Sequence, residues 1–218
     1  VLPAPADTGL VFRRIDLEGC PEVEALAENV SNTARSTTIS KGAASVSTIE
    51  HILSALTGMG VDNAIIEIDN VEVPILDGSA KPYIDAMWAD GFTKQDALRR
   101  YIEVKETIEI RNDETGSVVR IEPADEFSYD IKVDFNSRVL GVQYAQWDPS
   151  VVYAEEIGVC RTFVFFQELE PLFKNNLIKG GDLDNAIVIV EHPVPQEELD
   201  RLAGVFNTSS LERAPEGY

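Results

Sequence analysis

Apolar and polar positions along the chain alternate with two distinct periods. Between Ser47 and Met59, Ile49, Ile52, Leu53 and Leu56 recur at i, i+3, i+4 and i+7. That single stripe predicts a helix over 47–59, with Gly58 and Gly60 as its stop. A second helix is expected after Ser79 as cap, with Pro82 in its first turn and Gly91 at its end. Strand patterns occupy 10–14, 61–69, 101–110, 117–121 and 127–135, and 22–29 reads as strand or mixed. Asn112–Gly116 between two alternating runs predicts a hairpin. Further on, helices are expected at 151–160 (capped by Ser150), 168–175 and 196–206, with a strand at 186–191. Hairpins mixed with helix pairs predict an α+β fold rather than a doubly wound parallel sheet.

The polar stretch Thr93–Arg100 separates two patterned regions. It predicts a first domain at 1–92, a linker at 93–100 and a second domain at 101–218. Asp62-Asn63-Ala64-Ile65-Ile66 recurs as Asp184-Asn185-Ala186-Ile187-Val188, an echo pointing to two related halves or to chance. The chain opens on Val1-Leu2-Pro3 without a methionine and closes on Pro215-Glu216-Gly217-Tyr218, a loop-like end. Both ends are therefore expected to be cut.

Charge narrows the function classes. The 218 residues carry 18 Lys and Arg against 38 Asp and Glu, a formal charge of −20. So negative a chain disfavours bare nucleic acid and anionic membrane surfaces, because each phosphate contact would oppose the protein's own field. A local donor cluster could still hold a small phosphorylated molecule. With Cys20 and Cys160 as its two cysteines, the chain has no disulfide framework. Together with His51 and His192 they do not make a structural zinc site, whether all-cysteine or mixed cysteine and histidine. No apolar run approaches the roughly 18 residues of a spanning helix, and no signal peptide opens the chain. A cytoplasmic, reducing compartment is expected.

Candidate chemistry begins at Glu50-His51. On the predicted helix His51 points almost opposite the apolar stripe, among Ser54, Ala55 and Gly58. That face is small and nearly uncharged, as if something packs or binds there. A His beside a Glu supplies a metal ligand and a general base for metal-bound water. Ser47-x-x-Glu50 is equally a capping box, which would explain Glu50 without catalysis. Thr162, in Arg161-Thr162-Phe163, is placed either to donate to a developing oxyanion or as an ordinary helix-to-strand junction. Gly180-Gly181-Asp182 reads as a close backbone approach or a plain turn. Phe135, after Asp134, is an aromatic that could stack on a base or pack in the core.

Several segments in register resemble one family. These are Pro3-Ala4-Pro5 with Thr8-Gly9 and Arg13-Arg14, Ser47-Thr48-Ile49-Glu50-His51, Asp62-Asn63, Pro74 through Ala80, Arg161-Thr162-Phe163 and Gly180-Gly181. Together they resemble the UDP-3-O-acyl-N-acetylglucosamine deacetylases, zinc enzymes of lipid A biosynthesis. The resemblance implies two similar domains, each a helix pair layered on a mixed or antiparallel sheet, with the active site between them. It implies His51 as a zinc ligand, Glu50 as the general base and Thr162 as oxyanion donor. It also implies substrate contacts from Phe163, Phe135, Asp134, Ser36 and Thr37. The region 164–190 corresponds to a βαβ insert forming an acyl-chain passage, giving Phe165, Phe166, Leu169, Leu177 and Ile178 a role there or in simple packing.

The departures are as informative. The family's other zinc ligands come from a His-Lys-x-x-Asp motif that this chain lacks, and His192 is not followed by Lys. The family's later assisting His, its basic phosphate contacts, its opening strand and its Gly-Leu-His segment are missing too. The expected reading is a fragment of a zinc deacetylase, inactive by itself, acting in full length on UDP-3-O-acyl-N-acetylglucosamine without membrane insertion. The alternatives are a non-catalytic nucleotide-sugar or acyl-chain binding protein, or part of a fusion to a C-terminal acyl-carrier-protein dehydratase.

Overall fold

The computed structural model describes residues 1–174 and 185–205. The chain folds as β1 (Leu2–Pro3), β2 (Leu10–Arg14), β3 (Glu22–Glu24), a 3₁₀ turn (Ala27–Asn29), β4 (Val30–Asn32), β5 (Thr38–Lys41) and β6 (Ala44–Val46). Next come α1 (Glu50–Gly58), β7 (Ala64–Ile68) and α2 (Lys81–Asp90). Beyond residue 100 follow β8 (Ile108–Asn112), β9 (Ser117–Ile121), β10 (Tyr129–Asp134), β11 (Val142–Trp147) and α3 (Tyr153–Glu156). β12 (Phe163–Phe165), α4 (Phe166–Lys174), β13 (Ile187–Ile189) and α5 (Gln196–Val205) complete the described residues. The mixture is α+β, as expected. No helix among the described residues is long and apolar enough to cross a membrane.

The N-terminal part is a mixed sheet in the order β1-β7-β2-β3, beside an antiparallel sheet β4-β5-β6. β2 and β7 run parallel with Phe12 opposite Ile66. α1 presents Ile52 and Leu56, and the preceding Ile49, to a core containing Phe12, Val23, Ile39, Val46, Ile66 and Val73. Tyr83 and Met87 of α2 pack on the same core. At about 25 cal/mol per Å² of apolar surface removed from water, this cluster is the main source of stability here. The sheet β4-β5-β6 was not anticipated, because strands of three or four residues are too short to show alternation.

Several predicted elements change length. The 47–59 helix starts only at Glu50, because Thr48 sits at φ 59° and Ser47 bridges to Glu72. Lys81 N–H donates to Ser79 Oγ at 3.1 Å, so Ser79 works one residue ahead of the helical cap position at Ala80. The 151–160 helix shrinks to one turn. There Asp148, not Ser150, organises the entry by accepting from the Ser150 N–H at 2.8 Å. The 101–110 strand keeps only its end, and the hairpin forms with Asn112 opposite Ser117. Residues 93–100 carry no regular structure but are docked. Gln95 donates to the Ala4 carbonyl at 2.8 Å, and Arg99 pairs with Asp62 at 2.7 Å.

β12, α4 and β13 form a parallel crossover with Phe163 opposite Ile187. The two echo segments thus each lead into a strand that pairs in parallel, β7 on β2 and β13 on β12. Asp184, Leu177, Ile178 and Gly180-Gly181-Asp182 lie outside the described residues.

Candidate active site

Glu50 and His51 open α1, and both are half-buried. The capping box does not form. Ser47 N–H and Oγ both point to the Val71 carbonyl, at 2.8 and 3.3 Å. Glu50 Oε2 instead accepts the Thr37 N–H at 3.1 Å. Thr48 Oγ1 donates to Glu72 Oε1 at 2.9 Å, and the Val73 N–H donates to the Ser47 carbonyl at 3.0 Å. The segment before the helix is therefore stapled to 71–73, and the loop β4–β5 sits over the helix start. These bonds fix a carboxylate that helix capping leaves unused.

The small outer face of α1 is partly covered by Tyr153, with Ala55 buried and Ser54 and Gly58 still exposed. Tyr153 OH and Ser54 Oγ share a hydrogen bond, and a Cβ at Gly58 would collide with the Tyr153 ring. Ala154 packs with Ala55, Ala80 and Ile84. Packing of Tyr153 and Ala154 accounts for the small size of Ser54, Ala55 and Gly58.

Thr162 meets the N-terminal part through the turn at Gly78. Its N–H donates to the Gly78 carbonyl at 2.8 Å, and its carbonyl accepts from Ile187 N–H at 3.0 Å. Arg161 Nε donates to the Asp77 carbonyl at 2.7 Å. Burial works to raise the Asp77 carboxyl; bonds from the Ser79 hydroxyl and N–H, with the Arg161 charge, outweigh it and hold it below its ordinary value. Gly78, at φ 82°, lies so close to the Asn185 carbonyl that any Cβ would strike it. Thr162 is half-buried at this junction.

Phe163 follows and packs edge to face on Phe135 at 5.4 Å and on Phe165 at 5.7 Å. The two aromatics singled out by the sequence are thus in contact, although residues 135 and 163 stand on different strands or their ends. Asp134 Oδ1 accepts the Asn136 N–H at 2.9 Å, shaping the turn after β10. Ser36 is half-buried between Arg35 and Thr37. His192 lies in the bend beyond β13. A cavity of about 980 Å³ opens between β1, the ends of α1 and α2, and residues 91–101; none of Glu50, His51 and Thr162 lines it.

Sequence reasoning missed Arg35 and Glu168, which bond to each other across 133 residues, and Tyr153. Neither spacing nor periodicity carries a signal for contacts so distant.

Among the described residues no group of three or more His, Cys, Asp and Glu side chains could hold a metal ion. A catalytic zinc needs three protein ligands, so His51 is at most one of a set that these residues do not complete.

The family model of UDP-3-O-acyl N-acetylglycosamine deacetylase matches residues 1–203. The Bifunctional enzyme LpxC/FabZ of Porphyromonas gingivalis is 43% identical over 216 residues, covering 99% of this chain and 47% of that protein. A UDP-3-O-acyl-N-acetylglucosamine deacetylase of Thioalkalivibrio sulfidiphilus is 41% identical over 90% of the chain and 65% of its own length. That of Xanthomonas oryzae is 39% identical over 94% of the chain and 68% of its own length. The chain spans about half the length of the bifunctional relatives and about two thirds of the deacetylases. With a match over nearly its whole length, the chain belongs to the UDP-3-O-acyl N-acetylglycosamine deacetylase family.

Proposed function

We propose that the natural protein containing this chain hydrolyses the acetamide of UDP-3-O-acyl-N-acetylglucosamine in lipid A biosynthesis, in the cytoplasm, with zinc as cofactor. The observation that carries this reading is Glu50: its carboxylate is held by the Thr37 N–H, next to His51, and serves no helix cap. A carboxylate so held is suited to take the proton of an attacking water. Thr162, anchored on Gly78, donates to the oxyanion of the tetrahedral intermediate. Phe135 packs on the uracil, Phe163, in contact with it, flanks the pocket of Thr162, and Asp134, Ser36 and Thr37 are further substrate contacts of the same reading. The crossover β12-α4-β13 lines the acyl chain with Phe165, Phe166 and Leu169.

His51 contributes one zinc ligand, and the others belong to parts of the protein outside this chain. The 218 residues alone are therefore expected to be inactive. The division into domains at 1–92 and 101–218, joined by 93–100, is part of the same reading.

The test is acetate release by the natural protein. Glu50→Gln lowers kcat by about 100-fold or more with the melting temperature unchanged, and the wild type holds about one zinc per chain. Near-normal turnover of Glu50→Gln overturns the general-base role. A metal-free, inactive wild type favours a binding protein instead. The bifunctional relatives support a second reading, a fusion carrying an acyl-carrier-protein dehydratase. A natural polypeptide about twice the length of this chain decides for it.

A further inference from the structure

The loop Thr33–Thr37 holds Glu50 through one backbone bond, from Thr37 N–H. Two residues before Thr37, Arg35 sits in the left-handed region at φ 63°, a conformation that non-glycine residues adopt only when their surroundings impose it. Its guanidinium reaches across to α4. Nη2 donates to Glu168 Oε1 at 2.7 Å, and Nη1 donates to Oε2 at 3.2 Å. This fork-to-fork geometry fixes orientation as well as distance. Glu168 stands in the first turn of α4, three residues beyond Phe165 and six beyond Thr162. The Arg35 guanidinium holds the Glu168 carboxyl below its ordinary value, so the pair is ionised at neutral pH.

One continuous connection therefore runs from the crossover β12-α4-β13 through Glu168 and Arg35 to Thr37 and the Glu50 carboxylate. We infer that Arg35 is a positioning residue whose clasp on Glu168 keeps the Thr33–Thr37 loop aimed at Glu50, so that the crossover must be seated for the carboxylate to be held. Neither residue needs to touch the reacting atoms. The other bonds of this loop do not reach α4: the Thr37 carbonyl accepts the Ile49 N–H at 3.5 Å, at the end of the loop next to the helix, and Asn32 Oδ1 accepts the Ala34 N–H at 2.7 Å, shaping the turn. Losing the clasp frees the loop to lift while leaving the core untouched.

The inference rests on the deacetylase reading, and the experiment separates the two. In the natural protein, Arg35→Ala and Glu168→Gln are measured alone, together, and beside the exchanged pair Arg35→Glu/Glu168→Arg. Each single variant lowers kcat about fivefold, the size of effect one partly exposed ion pair supports, and KM rises by no more than that because Ser36 and Thr37 ride on the same loop. The two combined lose no more than either alone, and the exchanged pair recovers kcat to within about twofold of wild type. Single variants at wild-type kcat overturn the inference, as do additive losses or an exchanged pair that stays slow. The isosteric Glu168→Gln keeps the test valid should Arg35→Ala unfold. A wild type that releases no acetate sinks the deacetylase reading instead.

Discussion

Gly78 shows how much one backbone position carries. Its φ of 82° suits glycine, and a Cβ there would strike the carbonyl of Asn185, over a hundred residues away in sequence. The same residue accepts the Thr162 N–H. Gly78→Ala is thus expected to cost more than about 2 kcal/mol of stability in urea denaturation, from left-handed strain plus the displaced carbonyl. On the proposed oxyanion role of Thr162, it should also lower acetate release by the natural protein. Glu50, one helix away, contrasts with it. Its carboxylate accepts from a loop N–H that no sequence spacing predicts, and Ser47 bonds to Val71 instead of closing a capping box with it.

At the scale of elements, α2 is held in part by its half-buried aromatic. Tyr83 packs on the core shared by α1 and the mixed sheet, and its hydroxyl donates to the Pro74 carbonyl. Burial pushes its phenol up to about 12. An unfolded chain ionises this group near pH 10 while the folded one keeps it neutral, so the stability it contributes is full below pH 10 and is lost as pH rises toward 12. Alkaline denaturation followed by circular dichroism should show this limb, and Tyr83→Phe should flatten it. The elements most legible in the sequence were the long periodic ones, α1 and α2, and the hairpin at Asn112–Gly116. Helix starts were misplaced where tertiary bonds overrode local pattern, as at Thr48, and the short strands β4, β5 and β6 left no periodic trace.

On the scale of the molecule, the two parts differ in how well they cover their sheets. The N-terminal sheet buries Phe12, Val23 and Ile66 beneath α1 and α2. The hairpin β8–β9 pairs Ile108 with Ile121 and Ile110 with Val119 on one face, as alternation predicts, yet Ile110 is 70% and Val119 65% exposed. Tyr129 and Ile131 on β10 are likewise exposed. Contiguous apolar surface of this kind binds hydrophobic probes and promotes association. The isolated 218-residue chain should enhance the fluorescence of a hydrophobic dye. Ile110→Lys with Val119→Lys should reduce that signal substantially.

The sequence by itself determined the fold class, the helical stripe of α1, the hairpin, and the family through segments kept in order. Each of these is written in local period or in residue identity along the chain. Only the tertiary structure decided that Glu50 is held by Thr37 and not by a cap, and that Tyr153 packs on the bare face of α1. It also joined Phe135 to Phe163 and Arg35 to Glu168. Those contacts join residues 13 to 133 positions apart. Their partners are chosen by how layers stack, and a one-dimensional pattern does not encode which surfaces meet.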